Sequence, residues 1–150
     1  VNARNLGNRN EKIADEEKYL PFIPPFQWRT ELHANFKEWR RLQDIFIKLE
    51  WHAFAAQNRV FTMNGTETPT PGYQLINGGI GAGLKGRSGK TLFNFSLLAQ
   101  NIFNVAYQSN MSRLKYFEDF PNDPRGHSGI YNMGRNVSIK ISVPLDFERE

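Results

Sequence analysis

Apolar and polar residues alternate along five segments of this chain, and a two-residue period predicts β-strands. The last segment places six apolar residues at every second position: Val137, Ile139, Ile141, Val143, Leu145 and Phe147. The predicted strands lie near 26–37, 44–56, 73–84, 91–103 and 134–147, after a loop at 1–25. Each strand then has one apolar face and one polar face.

The connections between these strands alternate in length. We predict short turns at 38–43 and 86–89, and long polar loops at 57–72 and 104–129. This order predicts an all-β, antiparallel up-and-down meander of about five long strands. At about 3.3 Å per residue, such strands can cross a bilayer when tilted. Short turns at one end and long loops at the other are typical of outer-membrane barrels.

The turn at 86–89 also predicts the register of the hairpin around it. A two-residue loop centred there pairs Ile80 with Phe95 and Ala82 with Phe93. Both pairs join positions on the apolar face. A shift of one residue would turn one strand's apolar side chains onto the polar face.

Two registers keep the apolar residues of the first hairpin on one face. One pairs Trp28 with Trp51, and it sets Arg29 against Glu50 and Glu31 against Lys48. The alternative pairs Thr30 with Trp51 and sets the two glutamates against each other. Opposite charges across neighbouring strands are favourable and like charges are not. We therefore predict the register that pairs the tryptophans.

Composition narrows the function classes. The 150 residues have a mean hydropathy of −0.57 and no apolar run of the length of a transmembrane helix, so a helical membrane protein is not expected. The net charge is +4, but basic and acidic residues are interspersed, so we expect no nucleic-acid partner. The chain contains no cysteine, which excludes disulfides and thiol catalysis. The segment 1–10 is polar and lacks the apolar stretch of a signal peptide, so we expect either a cytoplasmic protein or part of a longer one.

Six polar-face residues of the first two strands are the candidate site, and we expect them to line a water-filled lumen. They are Arg29, Glu31, His33, Lys48, Glu50 and His52. Histidines beside carboxylates also suggest a metal site, and Glu31 with Glu50 suggests the carboxylate pair of a glycosidase. Hydration of a lumen face accounts for these residues better than either. We predict no catalytic residues, no metal and no cofactor.

Four segments carry a resemblance to a known family. They are Tyr-Leu-Pro-Phe-Ile-Pro-Pro-Phe at 19–26, Asn-Gly-Thr-Glu-Thr-Pro-Thr-Pro-Gly-Tyr at 64–73, Asn-Ile-Phe-Asn at 101–104 followed by Tyr107, and Gly-Ile-Tyr-Asn-Met-Gly-Arg-Asn at 129–136. In this order they resemble the late barrel strands of TonB-dependent receptors of the Bacteroidetes type. The resemblance covers residues 19–147.

The resemblance implies that residues 1–150 are the C-terminal part of a transmembrane β-barrel in the outer membrane of a Gram-negative bacterium. Such a receptor imports a scarce nutrient: an iron–siderophore, haem, cobalamin or an oligosaccharide. Its expected partners are outer-membrane lipid, the transported ligand, and TonB, which acts through a plug domain outside this chain. The six polar-face residues would face the ligand or the plug, and Gly79, Gly81 and Gly83 would let another backbone approach.

Two other readings remain open. A soluble lipocalin-like barrel would bind a small ligand with its apolar faces inward, although about eight strands are usual for that. A secreted hydrolase built on a β-sandwich is the second alternative.

Overall fold

The protein is described by a computed structural model that covers residues 18–63, 67–116 and 129–145. Five strands form one antiparallel sheet in the order β1-β2-β3-β4-β5. They are β1 (Gln27–Trp39), β2 (Leu42–Phe54), β3 (Tyr73–Lys85), β4 (Thr91–Gln100) and β5 (Asn136–Ser142). A four-residue 3-10 helix, Arg113–Tyr116, lies between β4 and β5. The predicted all-β meander is confirmed.

Some predicted segments lie outside the described residues. They are 1–17 of the first loop, 64–66 and 117–128 of the two long loops, and 146–147 of the fifth strand. Within the described residues, no helix is long and apolar enough to span a membrane.

The last two strands are shorter than predicted. β4 ends at Gln100 because Asn101 has a φ of 48°, a left-handed conformation that does not continue a strand. The Asn101 side chain also accepts a hydrogen bond from the Val105 N–H at 2.8 Å and donates one to the Val105 carbonyl at 2.9 Å. β5 ends at Ser142, before Pro144, which has no N–H for a sheet hydrogen bond.

The register of the β3–β4 hairpin differs from the prediction by two residues. Ile80 lies opposite Leu97 rather than Phe95, and Ala82 lies opposite Phe95. The Gly86 N–H donates to the Lys90 carbonyl at 2.9 Å, so the loop has three residues, and its last residue has a positive φ. A bulge then leaves one β4 residue unpaired. A three-residue loop with a left-handed last residue followed by a bulge is a common hairpin type, which the assumed two-residue turn excluded.

The first hairpin turns at Arg40–Arg41, which is shorter than the predicted turn at 38–43. At its open end the Ala55 N–H donates to the Phe26 carbonyl at 2.9 Å. The predicted register would place Phe26 opposite Ala53, so it is wrong at this end of the hairpin. The bond fits the alternative register instead. Charged side chains could not decide this point, because long side chains also reach the diagonal positions of a neighbouring strand.

The division of the sheet into two faces follows the prediction. Neighbouring strands place Ile80, Leu97 and Ile139 in one row of the apolar face. The next row, on the opposite face, contains Gly79, Leu98 and Ser138. A register error of two residues leaves these faces unchanged, because side chains alternate with a period of two.

The chain divides into two compact units. The strand unit comprises the described residues of Arg29–His52, Leu75–Val105 and Gly134–Glu150. The loop unit comprises the described residues of Val1–Trp28, Ala53–Gln74 and Ala106–Met133.

Candidate functional site

The six predicted site residues all belong to the strand unit, and four of them form one charge network. The Arg29 guanidinium donates to the Glu50 carboxylate and lies 3.7 Å from Glu31. Lys48 Nζ lies 2.9 Å from a Glu31 oxygen and 3.8 Å from Glu50. Two cations therefore alternate with two anions, and the ion pairs predicted from the sequence are present.

Glu50 is the centre of this network and is only 6% exposed. One of its oxygens accepts from Arg29, and the other accepts from Asn77 Nδ2 at 2.8 Å. Asn77 Oδ1 in turn accepts from the Asn101 N–H at 2.9 Å. This carboxylate is therefore engaged by the sheet itself, and it links β2 and β3 to the turn that ends β4.

Asn77 was not among the predicted site residues. It lies on β3 at a polar-face position, in phase with the three glycines that follow it. That parity was the available signal. A polar residue in a glycine-rich strand was overlooked because it carries no charge.

The two histidines have different surroundings. The ring of His33 meets the ring of Phe46 edge-on, with centroids 6.1 Å apart and planes at 75°. His52 follows Glu50 on the same face of β2 and is half-buried. In the described part of the chain, no group of three His, Cys, Asp or Glu side chains is placed to hold a metal ion.

The space over the glycines of β3 is occupied from within the sheet. A Cβ added to Gly81 would collide with the Phe46 ring and lie 2.8 Å from the Phe95 carbonyl oxygen. A Cβ on Gly79 would lie 2.6 Å from Leu98 Cδ2. We expected these glycines to admit another backbone. Instead, the Phe46 ring from the neighbouring strand fills that space, so this expectation is wrong for Gly81.

Two open grooves lie near the short turns. The first has a volume of about 620 Å³, and most of its lining is apolar, from Phe36, Ile45 and Phe46. Its polar groups belong to His33, Asn35, Lys37, Asp44 and Lys48. The second, of about 360 Å³, is lined by polar groups of Asp44, Asn94, Ser96, Lys140 and Ser142. These amide, hydroxyl, ammonium and carboxylate groups can exchange hydrogen bonds with a polar ligand. Hence the part of the polar face open to a ligand lies beside the charge network and extends to β5, which the predicted site omitted.

The loop unit has a polar interior of its own. Glu67 is 3% exposed, and its carboxylate accepts from the Phe22 N–H at 2.9 Å and the Phe61 N–H at 3.0 Å. Phe22 has a φ of 56°, a left-handed conformation that is uncommon for a residue other than glycine. The hydrogen bond from its N–H to Glu67 stabilises this conformation. The carboxylate thus joins the family-like segment 19–26 to the described part of the family-like segment 64–73.

Lys115 is the cationic member of this interior and is also buried. Its Nζ donates to Thr70 Oγ1 at 2.6 Å and to the Thr68 carbonyl at 2.9 Å. The Thr70 hydroxyl donates a hydrogen bond to Asn110 Oδ1 at 3.2 Å. The amide nitrogen of Asn110 in turn donates to the Ile23 carbonyl. Sequence reasoning missed this cluster, because its members are far apart in the chain and follow no period.

The other two family-like segments also contact each other. In the strand unit, Asn104 Oδ1 accepts from the Arg135 N–H at 3.0 Å, which joins the segment 101–104 to the start of β5. In the loop unit, the Tyr107 ring stacks on Tyr73 at 4.4 Å, and Tyr73 stacks on Phe54 at 4.3 Å. These residues of the family-like segments therefore hold the connections against the ends of the strands.

Comparison of the chain with models of protein families, with curated proteins and with solved structures gave no match.

Proposed function

We propose that this chain is part of the barrel of a TonB-dependent receptor in the outer membrane, and that the receptor imports a scarce nutrient. The observation that carries the proposal is the exposed apolar face of the sheet. Leu32 on β1 is 65% exposed and Ile139 on β5 is 74% exposed. The described residues bury only two apolar side chains to below one tenth exposure, Val60 and Ala82.

An apolar face of this extent is costly in water. Monomeric soluble proteins rarely expose contiguous apolar patches larger than a few hundred Å². Lipid tails solvate such a face, while the charge network and grooves of the other face suit water. β1 and β5 are the edges of the sheet, and each has one neighbouring strand. Closure with further strands would remove both edges.

The TonB-dependent class is supported by the four family-like segments and by their contacts. Glu67 joins the first two segments, and Asn104 joins the last two. Under this proposal, the long connections face outward and help to capture the nutrient. The grooves near the short turns face the lumen, and TonB acts through a plug domain.

The membrane part of the proposal can be tested with single cysteines, since the chain has none of its own. Spin labels at Leu32 and Ile141 should be accessible to oxygen in lipid and protected from a water-soluble relaxer. Labels at the neighbouring positions Glu31 and Lys140 are the matched controls and should show the reverse. A lipocalin-like barrel would place the labels at Leu32 and Ile141 in a protein interior, which would contradict the proposal.

The transport part needs a test in cells. Strains that lack the gene for this protein, or the gene for TonB, are grown with each candidate nutrient as the limiting one. We expect both deletions to abolish growth on the same nutrient. If no nutrient requires both genes, the TonB-dependent assignment is wrong even where the spin labels report lipid.

A further inference from the structure

Basic side chains are concentrated at the short-turn end of the strand unit. The residues 37–44 and 85–90 contain six basic side chains and two acidic ones. Lys37 lines the first groove, and we call the other five the basic rim: Arg40, Arg41, Lys85, Arg87 and Lys90. The two turns adjoin, because the Lys85 N–H donates to the Arg41 carbonyl at 2.8 Å.

Most of the rim charge is not neutralised by the sheet. Lys85 Nζ forms an ion pair with Glu38 at 2.9 Å. The other four rim side chains are exposed, and no carboxylate of the described residues lies within ion-pair distance of them. This differs from the charge network on β1 and β2, where each cation contacts two carboxylates. Among the described residues, these cationic groups of the rim therefore have no carboxylate partner, and they are available to an anionic partner.

An aromatic residue accompanies the rim. Trp39 is 65% exposed, and the Arg40 guanidinium lies 5.7 Å from the centre of its ring. Phe36, on the apolar parity of the same strand, is also exposed. Trp39 has the opposite parity. Exposed aromatic rings beside arginine at the end of a membrane strand are the composition expected at the boundary between lipid tails and headgroups.

We propose that the basic rim binds the phosphate groups of anionic phospholipids in the membrane leaflet next to the short turns. This inference rests on the proposed membrane-barrel function. Charge complementarity carries it, because anionic lipid surfaces attract clustered lysine and arginine. The rim also continues directly from the apolar face that lipid tails would cover, so headgroup and tails of one lipid layer can be engaged together.

The substitution F36W, at an exposed position on the apolar parity of β1, provides the probe for the test. In the full-length protein that carries F36W and has every other tryptophan replaced by phenylalanine, the fluorescence reports the lipids next to the rim. The protein is reconstituted in phosphatidylcholine vesicles that contain either brominated phosphatidylcholine or brominated phosphatidylglycerol as quencher. We expect stronger quenching by the anionic lipid, and a smaller difference at high salt, because salt screens the attraction.

The charge variants make the test specific. Each cationic side chain near an anionic surface contributes about fivefold to binding. The variant R41Q/R87Q should therefore lower the preference for the anionic lipid by about 25-fold. The matched control R59Q/R135Q removes the same charge from the long connections and should keep the wild-type preference.

The outcomes separate this inference from the function on which it rests. Equal quenching of the wild type by both lipids would overturn the rim inference and leave the barrel proposal standing. Quenching by neither lipid would overturn the barrel proposal. If inorganic phosphate at constant ionic strength removes the preference, the rim is a site for free phosphate, and the lipid inference is wrong.

Discussion

Replacement of Glu50 by glutamine should destabilise the protein far more than the same change at Glu31. The Glu50 side chain is 8% exposed, and its carboxylate accepts hydrogen bonds from both Arg29 and Asn77. Glutamine removes the charge and turns one acceptor into a donor, which meets another donor in either orientation of the amide: the Arg29 guanidinium or the Asn77 amide nitrogen. A hydrogen bond to a charged group contributes about 1.5–3 kcal/mol. Because the Arg29 side chain is 57% exposed, solvent screens part of this, and we expect a loss of about 1–2 kcal/mol.

The control, Glu31→Gln, removes the same charge from a side chain that is 37% exposed. Exposed ion pairs contribute about 0–1 kcal/mol, so this change should cost less than 1 kcal/mol. High salt should increase the difference between the two variants in the free energy of unfolding. The loss at Glu31 should disappear in high salt, while the loss at Glu50 should persist, because water and ions are excluded from that carboxylate.

The assay is reversible urea unfolding of the full-length protein in lipid vesicles, followed by tryptophan fluorescence at low and high salt. The quantity compared is the free energy of unfolding of each variant relative to wild type. Equal losses for the two variants, or a Glu50 loss that vanishes in salt, would refute the view that Glu50 is an interior structural carboxylate. It would then be free to contact a ligand.

Two further predictions concern the β3–β4 hairpin. Gly81→Ala should lower the free energy of unfolding in the same assay by about 1–3 kcal/mol, because the new Cβ meets a ring and a backbone oxygen. Gly79→Ala is its control and should cost less, since the atom in its way is a mobile side-chain end; equal costs would contradict the packing described. Cysteines that replace Ile80 and Leu97 should crosslink under mild oxidation faster than cysteines at Ile80 and Phe95, because the first pair lies directly opposite. If the cysteines at Ile80 and Phe95 crosslinked faster, the register with a two-residue turn would be the correct one.

The sequence alone determined the five strands, their order and the two faces of the sheet. A two-residue period is a local property, because neighbouring side chains of an extended backbone point to opposite sides. It therefore specified that Ile80 and Leu97 belong to the apolar face and that Glu31 and Glu50 belong to the polar one. The TonB-dependent receptor and its membrane are still predictions, since they depend on a resemblance and on what covers the apolar face.

Only the tertiary structure decided the registers and the polar contacts. A shift of two residues preserves the faces, so the pattern could not distinguish Leu97 from Phe95 as the partner of Ile80. The answer depended on a left-handed Gly89 and a bulge beyond it. Glu67 presented the same difficulty in the loop unit. Its partners lie far away in the chain at Phe22 and close by at Phe61, and hydrogen bonds between loops follow no period that a sequence displays.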